Sequence, residues 1–158
     1  MSRARPLHPP GDSERDTLDP SAILFPGIAM FFLTFSMVIV LGVSRFSAIR
    51  RGDVSIKYYR LYNEGQQTPR LQLLSRHVQN HFEVPPLFYI ALLFLYVSSQ
   101  VNALTVALAW LYFASRCLHS YIHLGSNDVS RRFSVYGASG LVLAALWLSL
   151  LVSLLGAA

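Results

Sequence analysis

Ser75–Tyr89 reads SRHVQNHFEVPPLFY, and this stretch decides the fold. It opens a hydrophobic helix whose continuation, Val84 to Val101, is almost wholly apolar. Arg76, Asn80 and Glu83 recur at i, i+4, i+7, so on a helix they share one face. A guanidinium and a carboxylate at the mouth of a membrane helix are costly, and they persist where they face a protein interior or a wet cavity. The spacing therefore predicts a polar pocket inside a helical membrane protein. In that pocket Arg76 suits a carboxylate, Glu83 an amine, and Asn80 bridges by hydrogen bonds. A ligand with both charges, such as an amino acid or peptide, fits the pattern. The same three residues also fit an interhelical clamp, since polar side chains hold membrane helices together.

The composition agrees with a membrane class. Of 158 residues, 53% are hydrophobic and 13% charged, with a formal net charge of +5. That charged fraction is about half the soluble norm of roughly 25%. The single cysteine, Cys117, excludes an intrachain disulfide framework. The basic residues flank hydrophobic spans, which the positive-inside rule explains, and no soluble surface is left for nucleic acid.

Working outward, residues 1–20 form a polar, proline-containing tail expected to be disordered, with no signal-peptide pattern. Ala22 to Val43 carries no charge and is long enough, at about 1.5 Å per residue, to cross a bilayer. Arg45 to Leu74 is a basic loop holding Tyr58, Tyr59 and Tyr62. A second span is expected over residues 72–99, kinked just past Glu83 by Pro85 and Pro86. A third runs over 104–124 and a fourth over 131–155, where Gly137 and Gly140 favour close helix packing. The fold class is thus all-α, an integral membrane protein built on four helices. Loop charges place both Arg-bearing connections in the cytoplasm and both termini on the opposite side. The start of the second span, the end of the third and the start of the fourth then lie at one depth.

Arg116, His119 and His123 share a face of the third span, and Arg131 and Arg132 follow a turn-rich loop, GSNDVS. A guanidinium in a partly dry pocket stabilises a thiolate, whose parent thiol ordinarily titrates near about 8.5. The histidines allow a rival reading. His77/His81 and His119/His123 are i, i+4 pairs on antiparallel helices, so four imidazoles can meet at one metal or haem iron. No carboxylate accompanies them, and the sequence alone favours their use as hydrogen-bond partners over a metal site. Cys117 points away from the Arg116/His119 face and reads as packing.

Together, RHVQNHFE with its following prolines, SRCLHSYIH and the Arg131–Arg132 pair resemble the MAPEG family, the membrane-associated proteins of eicosanoid and glutathione metabolism. The resemblance covers roughly residues 22–155 and is closest to the family's bacterial members. It implies a four-helix bundle assembling as a homotrimer in a bacterial inner membrane. Glutathione would be a cosubstrate bound between subunits near the cytosolic face, and a lipophilic small molecule would come from the bilayer as its partner. Arg76, Asn80 and Glu83, with His119, His123 and Arg45, would contact glutathione. Arg132, or else Arg131, would stabilise its thiolate, giving a transferase- or peroxidase-like activity. The family also includes a non-catalytic binding member, which keeps a binding role open. Two positions depart from the eicosanoid-branch pattern: Gln79 stands where a second Arg often precedes the Asn, and His123 where many carry Tyr.

Overall fold

The computed structural model describes residues 18–61 and 66–156; the tail expected to be disordered lies, up to residue 17, outside the described residues. The described residues are all-helical, without a strand. A 3-10 turn, Pro20–Ile23, leads into α1, Leu24–Arg51. A short α2, Tyr58–Leu61, is followed by α3, Pro69–Glu83, and α4, Pro85–Val97. Two long helices complete the chain, α5 (Ala103–Leu124) and α6 (Val129–Gly156).

Each boundary has a local cause. The helix of the first span does not stop with its apolar run at Val43. It continues through Arg45 and Arg51, since polar residues at a membrane edge carry no helix-stopping signal, and it ends at Gly52. There φ is 77°, and the Gly52 and Asp53 amides donate to Ile49 and Ala48 at 3.0 Å each. α3 starts at Pro69 behind Thr68, whose hydroxyl accepts from the Leu71 amide at 3.4 Å. It ends where Pro85 and Pro86 supply no amide to the preceding turn. Val84 sits at the break with φ −100°, and the Leu87 amide closes a tighter turn onto the Val84 carbonyl at 3.0 Å. α5 opens on a reciprocal capping box between Asn102 and Thr105.

Three helical stretches are long and apolar enough to cross a membrane: Pro20–Arg51, Pro69–Val97 and Val129–Gly156. α5 is not among them, because it carries Arg116, His119, Ser120 and His123, all of them buried. The packing is inside-out relative to a soluble protein. Phe31, Phe32, Phe35, Leu93, Leu141 and Leu155 face outward, while histidines and an arginine fill part of the interior. Such an exposed apolar surface suits hydrocarbon rather than water. The chain is an integral membrane protein.

α5 pairs most extensively with α6, while α1 packs on α3 and α5, and α4 on α6. The larger apolar core joins the 3-10 turn, α4, α5 and α6, and a smaller one, Ala48, Val54 and Leu71, lies where α1 meets the start of α3. Phe88 of α4 stacks on Tyr112 of α5 at 4.4 Å, among Met30, Leu95 and Leu146. Gly27 permits a close approach of α1 to α4: a Cβ there would lie 2.9 Å from Leu92 Cδ1. Gly137 and Gly140, expected to serve close packing, have no atom of another described helix within 4 Å of where their Cβ would stand. At these two positions α6 meets no other helix among the described residues.

Phe88 is among the largest fully buried side chains of the described residues and stacks on Tyr112. Phe88→Ala should lower stability by about 3 kcal/mol through the cavity and the lost stacking. The exposed Leu87→Ala should change it little, and thermal unfolding in detergent compares the two.

Candidate functional site

The inward stripe of α3 is Leu71, Leu74, His77 and His81. Arg76, Asn80 and Glu83 flank that stripe instead of forming it. Asn80 is half-buried, whereas Arg76 and Glu83 are exposed. This offset divides the three between two cavities. Asn80 and Glu83 line a cavity of about 220 Å³ together with His119 of α5 and Arg132, Phe133 and Tyr136 of α6. Arg76 lines a separate cavity of about 610 Å³, with Arg70, Gln72 and Asn127.

Asn127 joins the two. Its Oδ1 accepts a hydrogen bond from Arg132 Nη1 at 2.8 Å. Its backbone is left-handed, φ 49°, a conformation asparagine tolerates better than most residues. The preceding Gly125 is required by space, since a Cβ there would meet the Tyr121 carbonyl oxygen at 2.8 Å. The loop that looked like a plain turn therefore aims Arg132. The same guanidinium lies 3.5 Å from His123 Nε2. Arg131 points elsewhere: it is exposed and pairs with Asp128 at 3.6 Å. Arg45 is folded against its own chain, donating to Ser75 Oγ at 3.2 Å and resting 5.4 Å from the Tyr59 ring centre. Neither Arg131 nor Arg45 lines the 220 Å³ cavity.

Glu83 is engaged within its own helix. Gln79 Nε2 donates to Glu83 Oε1 at 3.2 Å, so the neutral residue at the departing position holds the carboxylate in place. Glu83 has no ion-pair partner among the described residues.

Arg116, placed by the sequence on one face with His119 and His123 but given no site role, is central to the arrangement. It is fully buried, 0% exposed. Its Nη2 donates to the Asn80 carbonyl at 3.3 Å, while Nε and Nη1 have no hydrogen-bond partner. The guanidinium lies 5.5 Å from the Tyr136 ring centre, a cation–π distance. The acceptor belongs to the last turn of α3, the negative end of that helix, which favours a cation. Tyr112, one turn before Arg116, buries a hydroxyl that likewise has no partner.

The histidines gather beside this group. His77, His119 and His123 each offer a nitrogen, all within 4.8 Å of one another. His81 is tied in separately. Its Nδ1 is 3.0 Å from Thr34 Oγ1, and its Nε2 is 3.3 Å from His77 Nε2. Hydrogen bonding thus accounts for His81, but not for His119, neither of whose ring nitrogens has a partner. Thr34, Asn127 and Tyr136 gave no sequence signal, since each depends on a helix crossing that local spacing does not encode.

Chemically, the 220 Å³ cavity places a guanidinium, a carboxylate, a carboxamide and an imidazole around one space. Phe133, 77% exposed, forms an apolar rim. This is a polar cavity with an apolar rim in a membrane-embedded helical protein. The chain belongs to the MAPEG family, whose model matches residues 23–152. Membership supports a membrane role connected with glutathione or eicosanoid metabolism, and members generally use glutathione as substrate or cofactor. Comparison with curated protein sequences and with solved structures returned no match.

A buried cation with two unpartnered nitrogens burdens the folded chain. Replacing an uncompensated buried charge by an apolar side chain of similar length is often neutral or stabilising. Arg116→Met is therefore expected to leave the unfolding temperature unchanged or raise it, in detergent without added ligand.

Proposed function

We propose that the protein is a glutathione-dependent transferase or peroxidase of the membrane, acting on lipophilic electrophiles. The observation that carries this reading is the meeting of Asn80, Glu83, His119 and Arg132, from three helices, around one cavity with an apolar rim. Glutathione carries two carboxylates, one amine and one thiol, and the donor set matches these groups. Glu83 takes the amine, Asn80 bridges, and Arg132 stabilises the thiolate. Arg132 suits that role better than Arg131, because Asn127 fixes it at the cavity while Arg131 pairs with Asp128 in solvent. Arg76 reaches a glutathione carboxylate from the larger neighbouring cavity, where it has no ion-pair partner among the described residues. His123 supports the Arg132 guanidinium from within the chain.

A cation held beside the thiol favours the charged, nucleophilic form, and this contributes most to the rate. The thiolate attacks the electrophilic carbon of the lipophilic substrate, a carbon–sulfur bond forms, and the leaving group departs with its electron pair. Phe133 and Val129 receive the apolar substrate from the lipid side.

The functional unit in this reading is a homotrimer of four-helix bundles in a bacterial inner membrane, with both termini on the non-cytoplasmic side. Two observations support assembly. The cavity of about 220 Å³ is smaller than the roughly 300–1,000 Å³ usual for small-molecule sites, so a neighbouring subunit has room to complete it. At Gly137 and Gly140, α6 also meets no other helix among the described residues. Arg45 then contributes across the subunit boundary, if its bond to Ser75 yields to a ligand carboxylate.

Calorimetric titration with glutathione tests the site. Wild type should bind, and Glu83→Gln should weaken binding about tenfold, as expected for a lost charge-assisted contact. Arg132→Ala should lower aryl-halide conjugation by about 100-fold while retaining most of the binding. No conjugation above the uncatalysed rate in either protein, with tight glutathione binding, would replace the enzyme by a non-catalytic binding protein. Absence of glutathione binding to wild type would overturn both.

A further inference from the structure

Beside the thiol cavity, α3 and α5 bring three imidazoles together in a dry interior. His77, His119 and His123 are 0%, 1% and 1% exposed. Their unsatisfied nitrogens are concentrated there: His77 Nδ1, His119 Nδ1 and Nε2, and His123 Nδ1 have no hydrogen-bond partner. Leaving a buried polar atom unpaired costs its full desolvation. Several such atoms in one place is a penalty that packing alone does not explain, and a shared Lewis acid removes it.

The surroundings of His77 add a second, independent sign. Its Nε2 faces His81 Nε2 at 3.3 Å, and His81 in turn reaches Thr34 Oγ1 through Nδ1 at 3.0 Å. Ser120 Oγ lies 3.4 Å from His81 Nε2. One nitrogen of His77 is thus fixed by a hydrogen-bonded relay while the other, Nδ1, is left for a ligand. Imidazoles that hold metals are commonly oriented this way, with the second nitrogen bonded to an outer partner.

We propose that His77, His119 and His123 bind one late first-row transition-metal ion, zinc or copper, with His81 and Thr34 as positioning residues for His77. A set of imidazoles without carboxylates disfavours calcium and magnesium, which take oxygen ligands, and suits zinc and copper. The ligand nitrogens, within 4.8 Å of one another, need side-chain rotation to close to the ~3.4 Å separation implied by metal–nitrogen bonds of about 2.0–2.1 Å. Three protein ligands leave one coordination position open. No Asp or Glu belongs to the cluster, and Arg116 lies on the same face of α5. An anion in the open position therefore balances the charge. This site is separable from the thiol site through His77: His119 lines the 220 Å³ cavity and His123 supports Arg132, whereas His77 does neither.

The test uses the full chain purified in mild detergent with a tag free of histidine. Elemental analysis after incubation with zinc or copper and desalting should give about one ion per chain in wild type, and His77→Ala should retain at least tenfold less. Thr34→Val, which removes only the outer partner, should weaken affinity about tenfold. Cobalt(II) titration of wild type reads the geometry without any variant and should produce the intense visible absorption of a tetrahedral site. Metal content in wild type no higher than in a His77→Ala/His123→Ala double variant, or a cobalt titration without that absorption, would overturn the proposal. Glutathione titration of His77→Ala separates the two sites: retained binding with lost metal is expected. Failure of wild type to bind glutathione while it holds metal would sink the thiol reading alone.

Discussion

The hydrogen bond from Arg116 to the Asn80 carbonyl sets the arrangement of the polar half of the molecule, though it adds little to its stability. It joins the middle of α5 to the last turn of α3 inside a chain whose exterior is hydrocarbon-like. In such a medium a guanidinium cannot be left at the surface of the helix, so α5 must turn it inward. The end of α3 is where it finds a complementary charge distribution, because carbonyls there lack amide partners and the helix dipole is negative. That end exists only because Pro85 and Pro86 interrupt the span. The proline break, the buried cation and the position of Asn80 and Glu83 are therefore one arrangement. Without the break the second span would run past Arg116 with its carbonyls already bonded.

The rest of the site follows from the face of α5 that Arg116 commits. Once it is inward, His119, Ser120 and His123 are inward too, being three, four and seven residues further along. They meet His77 and His81 on the stripe of α3 that begins with Leu71 and Leu74. α6 arrives after a loop whose Gly125 and left-handed Asn127 leave little freedom, and Asn127 then holds Arg132. The cavity is thus bordered by elements fixed for separate reasons, which is how a site stays preorganised in a structure with few ion pairs.

This history explains what the sequence disclosed and what it withheld. The first, second and last spans were legible because long, nearly uncharged runs have few other uses, whereas the third, loaded with Arg116 and its histidines, falls short of that standard. The break after Glu83 was legible because consecutive prolines supply no amides. The pairing of Asn80 and Glu83 with the head of the last span followed from counting spans and placing their ends at one depth. The shared face of Arg76, Asn80 and Glu83 was read too broadly. Helical periodicity gives relative angles along one helix but not which direction faces the neighbours, and α3 turned its histidines inward, leaving Arg76 beside a different cavity. The full burial of Arg116 was hidden for the same reason, and Gln79 was visible only as a missing charge, not as the donor to Glu83. Asn127 and Thr34 act across helix crossings, so no local pattern marked them.

The charge balance of the interior then sets what a ligand must bring. Arg116 and Arg132 both lie at or beside the cavity, and Glu83 is the only carboxylate on it. Gln79 holds that carboxylate toward the surface end of α3, where it is exposed. The local excess is therefore positive, and among the described residues no further carboxylate lines the cavity to cancel it. A buried excess of one sign is tolerated when something of the other sign arrives to share the space. In the proposed reading, two cations facing a single exposed carboxylate call for an anion, and the apolar rim at Phe133 calls for a reaction partner that prefers lipid. A zwitterion whose negative groups outnumber its positive one meets the first condition, and the bilayer itself delivers the second.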